Sequence, residues 1–460
     1  MKTQFLRKDP DNTRLLLVFS GWSTAPAFYS SLVRDGWDLL VVYDYADLTL
    51  DTSFLDEYYT VYLLAWSLGV YCAELTLPAE RITAAFAVNG TPMPVDPRYG
   101  IPPAIFQGTA AALDRRNLMK FRRRMMPDAE TFANYFPDDS SDDIPALKKG
   151  LEEIAANEAT NETAAGRRTA RLPWTRAYAS DADRIFPPTN LLAYWKEEPE
   201  VELVRVSGAH WIPLGDILAA AIPDTGKVSR RFSKAASSYD THAIAQHAVA
   251  VRLALMLKSA LDATPQTPDC RILEIGCGTG LFTREYARFL HPSEACFVDI
   301  TDCGPFGIAG KETYVKGDAE KWIEDFRGSL DCILSASAIQ WFADLPRFID
   351  NCRRALAPGG IFAVSTFLPG NMGELDTLRP SPLIYPRLET LRDCMERNFS
   401  DIRIETEDII VEFKSVREML MHLKHTGVGG SAPSSGRSLK DMAELHTLTY
   451  RPVWLIGRKK

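Results

Sequence analysis

The string ILEIGCGTGLFTREYARFL at residues 272–290 constrains the fold of this chain more than any other stretch. It reads as an apolar strand, a glycine-rich turn and an amphipathic helix, the unit from which α/β sheets are wound. Gly276, Gly278 and Gly280 let the backbone turn with positive φ and admit a ligand close to the main chain. Glu274 stands just before the turn, at the carboxyl end of the strand, where ligands of open α/β sheets bind. The spacing is G-x-G-x-G, unlike the G-x-G-x-x-G that cradles a pyrophosphate. Asp299 closes the next apolar run, CFVDI, 25 residues after Glu274, and a carboxylate there can accept hydrogen bonds from both hydroxyls of a ribose. Asp318, in VKGDAEKW after the third run, is placed to meet an adenine edge.

Strand-like runs of this kind fall into two series. The first comprises residues 15–19, 39–43, 61–66, 84–88, 174–179 and 201–206. The second comprises residues 271–275, 295–298, 313–315, 332–335 and 361–367. Between residues 92 and 173 the strand rhythm stops, and Ala, Arg, Glu and Met at helical spacing predict a helical insertion. The segment IPDTGKVSRRF, with turn formers Pro223, Asp224 and Gly226, separates the series. The expected domains are therefore residues 1–226 and 227–460, and at 460 residues the chain is too long for one core. No internal repeat relates the halves.

Composition limits the function classes. A net charge of −8 argues against a nucleic-acid partner, which needs clustered cations. No apolar run approaches the roughly 20 residues of a membrane span. The eight cysteines include no C-x-x-C pair, and seven lie beyond residue 269. They read as free thiols in a reducing, cytoplasmic setting, with no metal site. One local exception is DRRNLMKFRRRMM at residues 114–126, where Arg115, Arg116, Lys120, Arg122, Arg123 and Arg124 face a single anion. It is either a solvated helix face or a docking patch for an acidic partner.

In the first half, YLLAWSLGVY places Ser67 between an apolar strand and a helix, a pattern similar to the G-x-S-x-G nucleophile elbow with Ala65 for the first glycine. The only histidine before residue 227 is His210, in VSGAHWIPL after the last strand-like run, where a general base for Ser67 is expected. ASDADRIFPP offers two acids, with Asp183 expected to orient the histidine and Asp181 second. An oxyanion hole needs the amide of Leu68 and a second amide after the first strand-like run, which Trp22 in FSGWS can supply.

Two resemblances follow from these strings. LEIGCGTG and LAPGGIFAVSTF (residues 356–367) resemble motifs of the class I S-adenosylmethionine-dependent methyltransferases, a Rossmann-like fold. FSKAASSYDTHAIAQ, IQWFADLPRF, FLPGNMGEL and LKHTGVGG together resemble the malonyl-acyl-carrier-protein O-methyltransferases of biotin synthesis. That resemblance implies S-adenosyl-L-methionine as cofactor, and Tyr239, Gln246, Gln340 and Trp341 stand in the matching strings as candidates for closing the substrate site. LLLVFSGWS, AWSLG and DRIFPP with its following histidine resemble the pimeloyl-acyl-carrier-protein methyl ester esterases of compact α/β-hydrolase type. This implies a helical lid over residues 92–173, whose cations would meet the acidic carrier protein. Two other readings stay open: an unrelated esterase fused to a small-molecule or acyl-CoA methyltransferase, and a non-catalytic docking module in the first half.

Overall fold

The computed structural model describes residues 1–137, 142–161, 169–262, 270–375, 383–427 and 446–460. These form two compact units, Met1–Gly215 and Asp216–Lys460. The turn-forming segment at residues 222–232 therefore lies inside the second unit, where Thr225–His242 is a helix capped by Asp224.

The first unit is built on seven strands: β1 (Lys2–Arg7), β2 (Arg14–Phe19), β3 (Asp38–Tyr43), β4 (Thr60–Trp66), β5 (Ala84–Val88), β6 (Trp174–Ser180) and β7 (Glu202–Val206). Their order is β1-β3-β2-β4-β5-β6-β7. All pairs are parallel except β1 with β3. The central strands β2 and β4 are buried along their whole length, as expected of parallel strands covered on both faces. Edge strand β1 is half exposed and carries Lys2, Gln4 and Arg7, a composition that blunts an open edge. Between β5 and β6 lie helices Pro103–Ala111, Arg115–Met125, Ala129–Tyr135 and Ile144–Asn161. The expected helical insertion also spans residues 138–141 and 162–168, which lie outside the described residues.

The second unit holds β8 (Arg271–Ile275), β9 (Glu294–Asp299), β10 (Lys311–Lys316), β11 (Leu330–Ser335), β12 (Leu356–Phe367), β13 (Phe399–Thr406) and β16 (Pro452–Lys459) in one sheet. The order is β10-β9-β8-β11-β12-β16-β13, and β16 runs antiparallel to both its neighbours. The order reverses between β8 and β11, which creates a crevice at their carboxyl ends. Strands β14 (Ile409–Glu412) and β15 (Thr447–Tyr450) form a separate antiparallel pair.

Helix Ile244–Asp262 departs from the expected absence of membrane-length apolar stretches. Its mean hydropathy of 1.3 and 19 residues would suffice for a span, but half of it is buried within the unit. Trp454 of β16 donates its indole N–H to Val249 O of this helix at 2.9 Å, so its apolar face is spent on the sheet. All eight cysteines are unpaired.

Two candidate active sites

In the first unit, Ser67 sits at φ 60°, ψ −126°, a strained conformation between β4 and helix Leu68–Thr76. The turn is held by close backbone packing. A Cβ on Gly69 would lie 2.5 Å from Phe19 O, and one on Gly90 would lie 2.2 Å from Ser67 O. Ala65 fits where the elbow pattern has glycine because it lies in β4, between Phe19 of β2 and Ala87 of β5.

Ser67 Oγ is 2.9 Å from His210 Nε2, and His210 Nδ1 is 2.7 Å from Asp183 Oδ2. His210 is fully buried. The other oxygen of Asp183 accepts the amides of Ile185 and Phe186 at 2.7 and 3.0 Å, which fixes the carboxylate toward the imidazole. Asp181 is engaged elsewhere: it accepts from Ser207 Oγ and Gly208 N, both at 3.0 Å, and braces the turn that carries His210. Asn89, absent from the sequence reading, donates Nδ2 to His210 O at 2.7 Å and accepts Ser180 N at 2.8 Å. The Asn-Gly pair closing β5 was its only signal. Phe186 stacks parallel to the His210 ring.

A narrow cavity of about 30 Å³ adjoins Ser67 and is lined by Trp22, Leu68, Ile101, Phe106, Phe121 and Ile185, with Arg124 and Arg184 also on it. Leu68 opens its helix, so its N–H has no intrahelical acceptor. Trp22 anchors its own loop, since its indole donates to Leu147 O at 3.0 Å. One of the six expected docking cations requires correction. Arg122 is 3% exposed, pairs with Asp142 at 2.6 and 2.7 Å and donates to Ser23 O at 2.7 Å. It tethers the FSGWS loop and is too buried to meet a partner. Arg115, Arg116, Lys120, Arg123 and Arg124 are exposed on the same helix.

In the second unit, a cavity of about 870 Å³ opens at the sheet crevice. Gly276, Gly278, Asp299, Asp318, Tyr239 and Trp341 all line it. Gly276 at φ 68° cannot carry a side chain, because its Cβ would lie 2.2 Å from Ala338 Cβ. At Gly278, φ 49°, the Cβ position is empty space, a cradle that a side chain would fill. Asp299 Oδ2 accepts Gly278 N at 2.8 Å, and Oδ1 accepts Thr301 N and Oγ1 at 2.7 Å. The Oδ2 atom keeps a second lone pair for a ligand hydroxyl. Asp318 caps helix Ala319–Asp325 through Glu320 N at 2.9 Å.

Glu274 requires a second correction. It is not on the lining of this cavity: it is buried, and its Oε2 accepts Tyr286 OH at 2.6 Å and Thr283 Oγ1 at 2.7 Å, so it braces the following helix. Burial pushes its carboxyl up to about 7 from an ordinary 4.5. The folded state thus holds a proton that the unfolded chain has already released. Its contribution is full below about pH 4.5 and is lost as pH rises through 7, a span worth roughly 3 kcal/mol. In urea titrations of the full chain, the stability of the second unit should fall across this window. Glu274→Gln should flatten that slope, and an unchanged slope would contradict the assignment.

A second cavity of about 20 Å³ is lined by Gln246, Ser337, Gln340, Trp341, Tyr385 and Tyr450, among others. Phe232, Tyr239, Gln246, Ser337 and Trp341 line both cavities and form their boundary. Four buried polar atoms here have no hydrogen-bond partner: Gln246 Oε1, Ser337 Oγ, Gln340 Oε1 and Trp341 Nε1. Desolvated polar atoms without partners cost about 1–3 kcal/mol each, so the wall is built for a polar ligand. Of the resemblance strings, LKHTGVGG ends in residues 428–430, outside the described residues.

The model of the pimeloyl-ACP methyl esterase BioG matches residues 1–213, and that of a methyltransferase domain matches residues 273–364. A malonyl-acyl-carrier-protein O-methyltransferase of Bacteroides fragilis is 31% identical over 478 aligned residues, which cover 98% of this chain and 94% of that protein. The chain belongs to this methyltransferase family. This family member is an enzyme that joins an esterase part to a methyltransferase part. An uncharacterized protein of Haemophilus influenzae is 37% identical over 215 residues, 46% of this chain and 94% of its own. The crystal structure of BioG from Haemophilus influenzae shares 35% identity over 46% of this chain and 94% of that one, with a TM-score of 0.42.

Proposed function

We propose that this bifunctional enzyme of biotin synthesis writes a methyl ester early in the pathway and removes one late. The second unit methylates the free carboxyl of malonyl-acyl carrier protein, and the first hydrolyses pimeloyl-acyl-carrier-protein methyl ester to the acid and methanol. The observation that carries the esterase half is the continuous Ser67–His210–Asp183 chain of hydrogen bonds. The strand order of the first unit and the turn after β4 support an α/β-hydrolase type of domain, with helices between β5 and β6 as its lid.

In the esterase reaction His210 Nε2 takes the Ser67 proton as Oγ attacks the ester carbonyl, then delivers it to the leaving methanol. The amides of Leu68 and Trp22 are the donors for the oxyanion. Water, deprotonated by the same nitrogen, frees the pimeloyl acid and restores the serine. Asp183 holds the tautomer. Asp183→Asn should therefore lower kcat about 10⁴-fold, whereas Asp181→Ala should cost about 1 kcal/mol of stability and leave kcat within a few-fold. Steady-state kinetics on the methyl ester with a parallel melting curve separates the two, and equal kcat losses would overturn this ranking.

In the methyltransferase, S-adenosylmethionine supplies an electrophilic sulfonium methyl when bound. Asp299 would hold its ribose hydroxyls, the backbone around Gly278 would admit it closely, and Asp318 would meet the adenine edge. The malonyl carboxylate is ionised near neutral pH and needs no general base. Ser337 Oγ and Trp341 Nε1 are buried, unpaired donors on residues that line the small cavity, suited to holding a carboxylate while Tyr239 and Phe232 exclude water.

The esterase must spare the malonyl ester made by its own chain. Pimeloyl carries four more methylenes, each worth about 0.8 kcal/mol when buried. Lying along Ile101, Phe106 and Phe121, which must part to admit them because the cavity there is about 30 Å³, they would give on the order of 100-fold selectivity in kcat/KM. Equal kcat/KM on the two carrier-protein esters would overturn this role for the cavity. Replacing the carrier protein by coenzyme A as thioester handle should raise KM, as should charge reversal at Arg123 and Arg124. Insensitivity to both would favour an acyl-CoA enzyme.

A further inference from the structure

Two glutamines at the boundary between the cavities are fixed in orientation by hydrogen bonds that run away from the ligand space. Gln340 donates its amide to Ser337 O at 2.5 Å, which leaves its own carbonyl oxygen unpartnered. Gln246 stands at the end of a longer chain. Its side chain lies against the Tyr450 phenol. The Tyr450 hydroxyl is 2.7 Å from His422 Nε2, and the main-chain carbonyl of His242, which can only accept, lies against the same ring. His422 is buried, and burial lowers its pKa, so the ring is neutral and its Nε2 is an acceptor. Tyr450 must then donate to His422 and accept from the Gln246 amide. Gln246 lines both cavities, and its Oε1 is a buried acceptor without a partner.

A carboxylate or thioester offers only acceptors, so neither satisfies these two oxygens. The methyl donor offers a positively charged sulfonium with polarised C–H groups, and methyl transfer requires it to point across the boundary toward the acceptor cavity. Resting on the methyltransferase reading above, we propose that Gln246 and Gln340 present their carbonyl oxygens to this methylsulfonium, with Tyr450 and His422 as positioning residues for Gln246. The product, S-adenosylhomocysteine, is a neutral thioether without the methyl and forfeits the contact. The site therefore favours cofactor over product.

Calorimetric titration of the full-length protein with S-adenosylmethionine and S-adenosylhomocysteine tests this. The unsubstituted chain should prefer the cofactor about tenfold, the scale of two weak C–H···O contacts. Gln246→Leu and Tyr450→Phe should each lower the ratio of the two dissociation constants about threefold, leaving the share that Gln340 carries, with product affinity changed less than about twofold. Gln246→Glu keeps the acceptor and should preserve or enlarge the preference. A ratio unmoved by Gln246→Leu and Tyr450→Phe would overturn the proposal, as would a parallel loss of both affinities, which signals a merely structural role. Failure of the unsubstituted chain to bind either ligand would instead overturn the methyl-donor assignment itself.

Discussion

Ser67→Ala is expected to abolish ester hydrolysis while leaving methyl transfer at its normal rate. The loss should be on the order of 10⁵–10⁶ in kcat, because nucleophile and base act as one unit and the residual rate comes from the oxyanion donors and binding alone. His210→Ala should cost a similar factor, and the double variant hardly more than either single one. Additive losses would mean that the 2.9 Å contact between Ser67 and His210 is structural. Alanine is a small change in volume at a position already 4% exposed, and it retains a Cβ, so the φ of 60° is no more strained than before. The fold should survive. A fluorophosphonate probe offers a second readout: it should label the unsubstituted chain and not the alanine variant. Absence of labelling in the folded unsubstituted chain would return the first unit to a docking role.

Asp299→Ala should produce the corresponding loss in the second unit. Its carboxylate accepts three hydrogen bonds that shape the loop, and it is the acid that lines the cavity beside Gly278. Each bond to a charged group is worth about 1.5–3 kcal/mol. Losing the ribose contact together with the Gly278 tether should weaken S-adenosylmethionine binding 10²–10³-fold, with ester hydrolysis unchanged. Asp299→Asn keeps the shape and some of the acceptors and should fall between. Calorimetry decides the matter, and affinity within threefold of normal in Asp299→Ala would remove this residue from the cofactor site.

Much of this was legible in the sequence because the strands that carry the sites are buried on both faces. Runs such as LLLVF and ILEI read as buried strands, and each leads into a loop that carries a candidate site, FSGWS after the first and the glycine turn after the second. Strand β1 escaped notice because KTQFLR has no apolar period, its burial being supplied by pairing with β3 alone. Strands β13 to β16 escaped because their pairing joins segments distant in sequence. Motif and chain order single out Ser67, His210 and Asp299, and the resemblance singles out Tyr239, Gln246 and Trp341, which line the cavities. Neither gives orientation. Glu274 and Arg122 stand in strings that suggest ligand and partner contacts, yet Tyr286 with Thr283, and Asp142 with Ser23, draw them inward. Nothing in a linear pattern distinguishes a carboxylate at a strand end that faces the crevice from one that faces the following helix. Asn89, Tyr450 and His422 were silent for a related reason: Asn89 holds the main chain of His210, Tyr450 and His422 hydrogen-bond each other behind the cavity wall, and such contacts leave no spacing to read.

One chain should both add and remove a methyl group on acyl-carrier thioesters, and mass spectrometry of the carrier proteins decides whether it does. Malonyl carrier protein incubated with the purified chain and S-adenosylmethionine should gain one methyl. Pimeloyl carrier protein methyl ester should lose one, and Ser67→Ala should block only that loss. A malonyl thioester left unmethylated, or a pimeloyl ester lost equally in Ser67→Ala, would contradict the account.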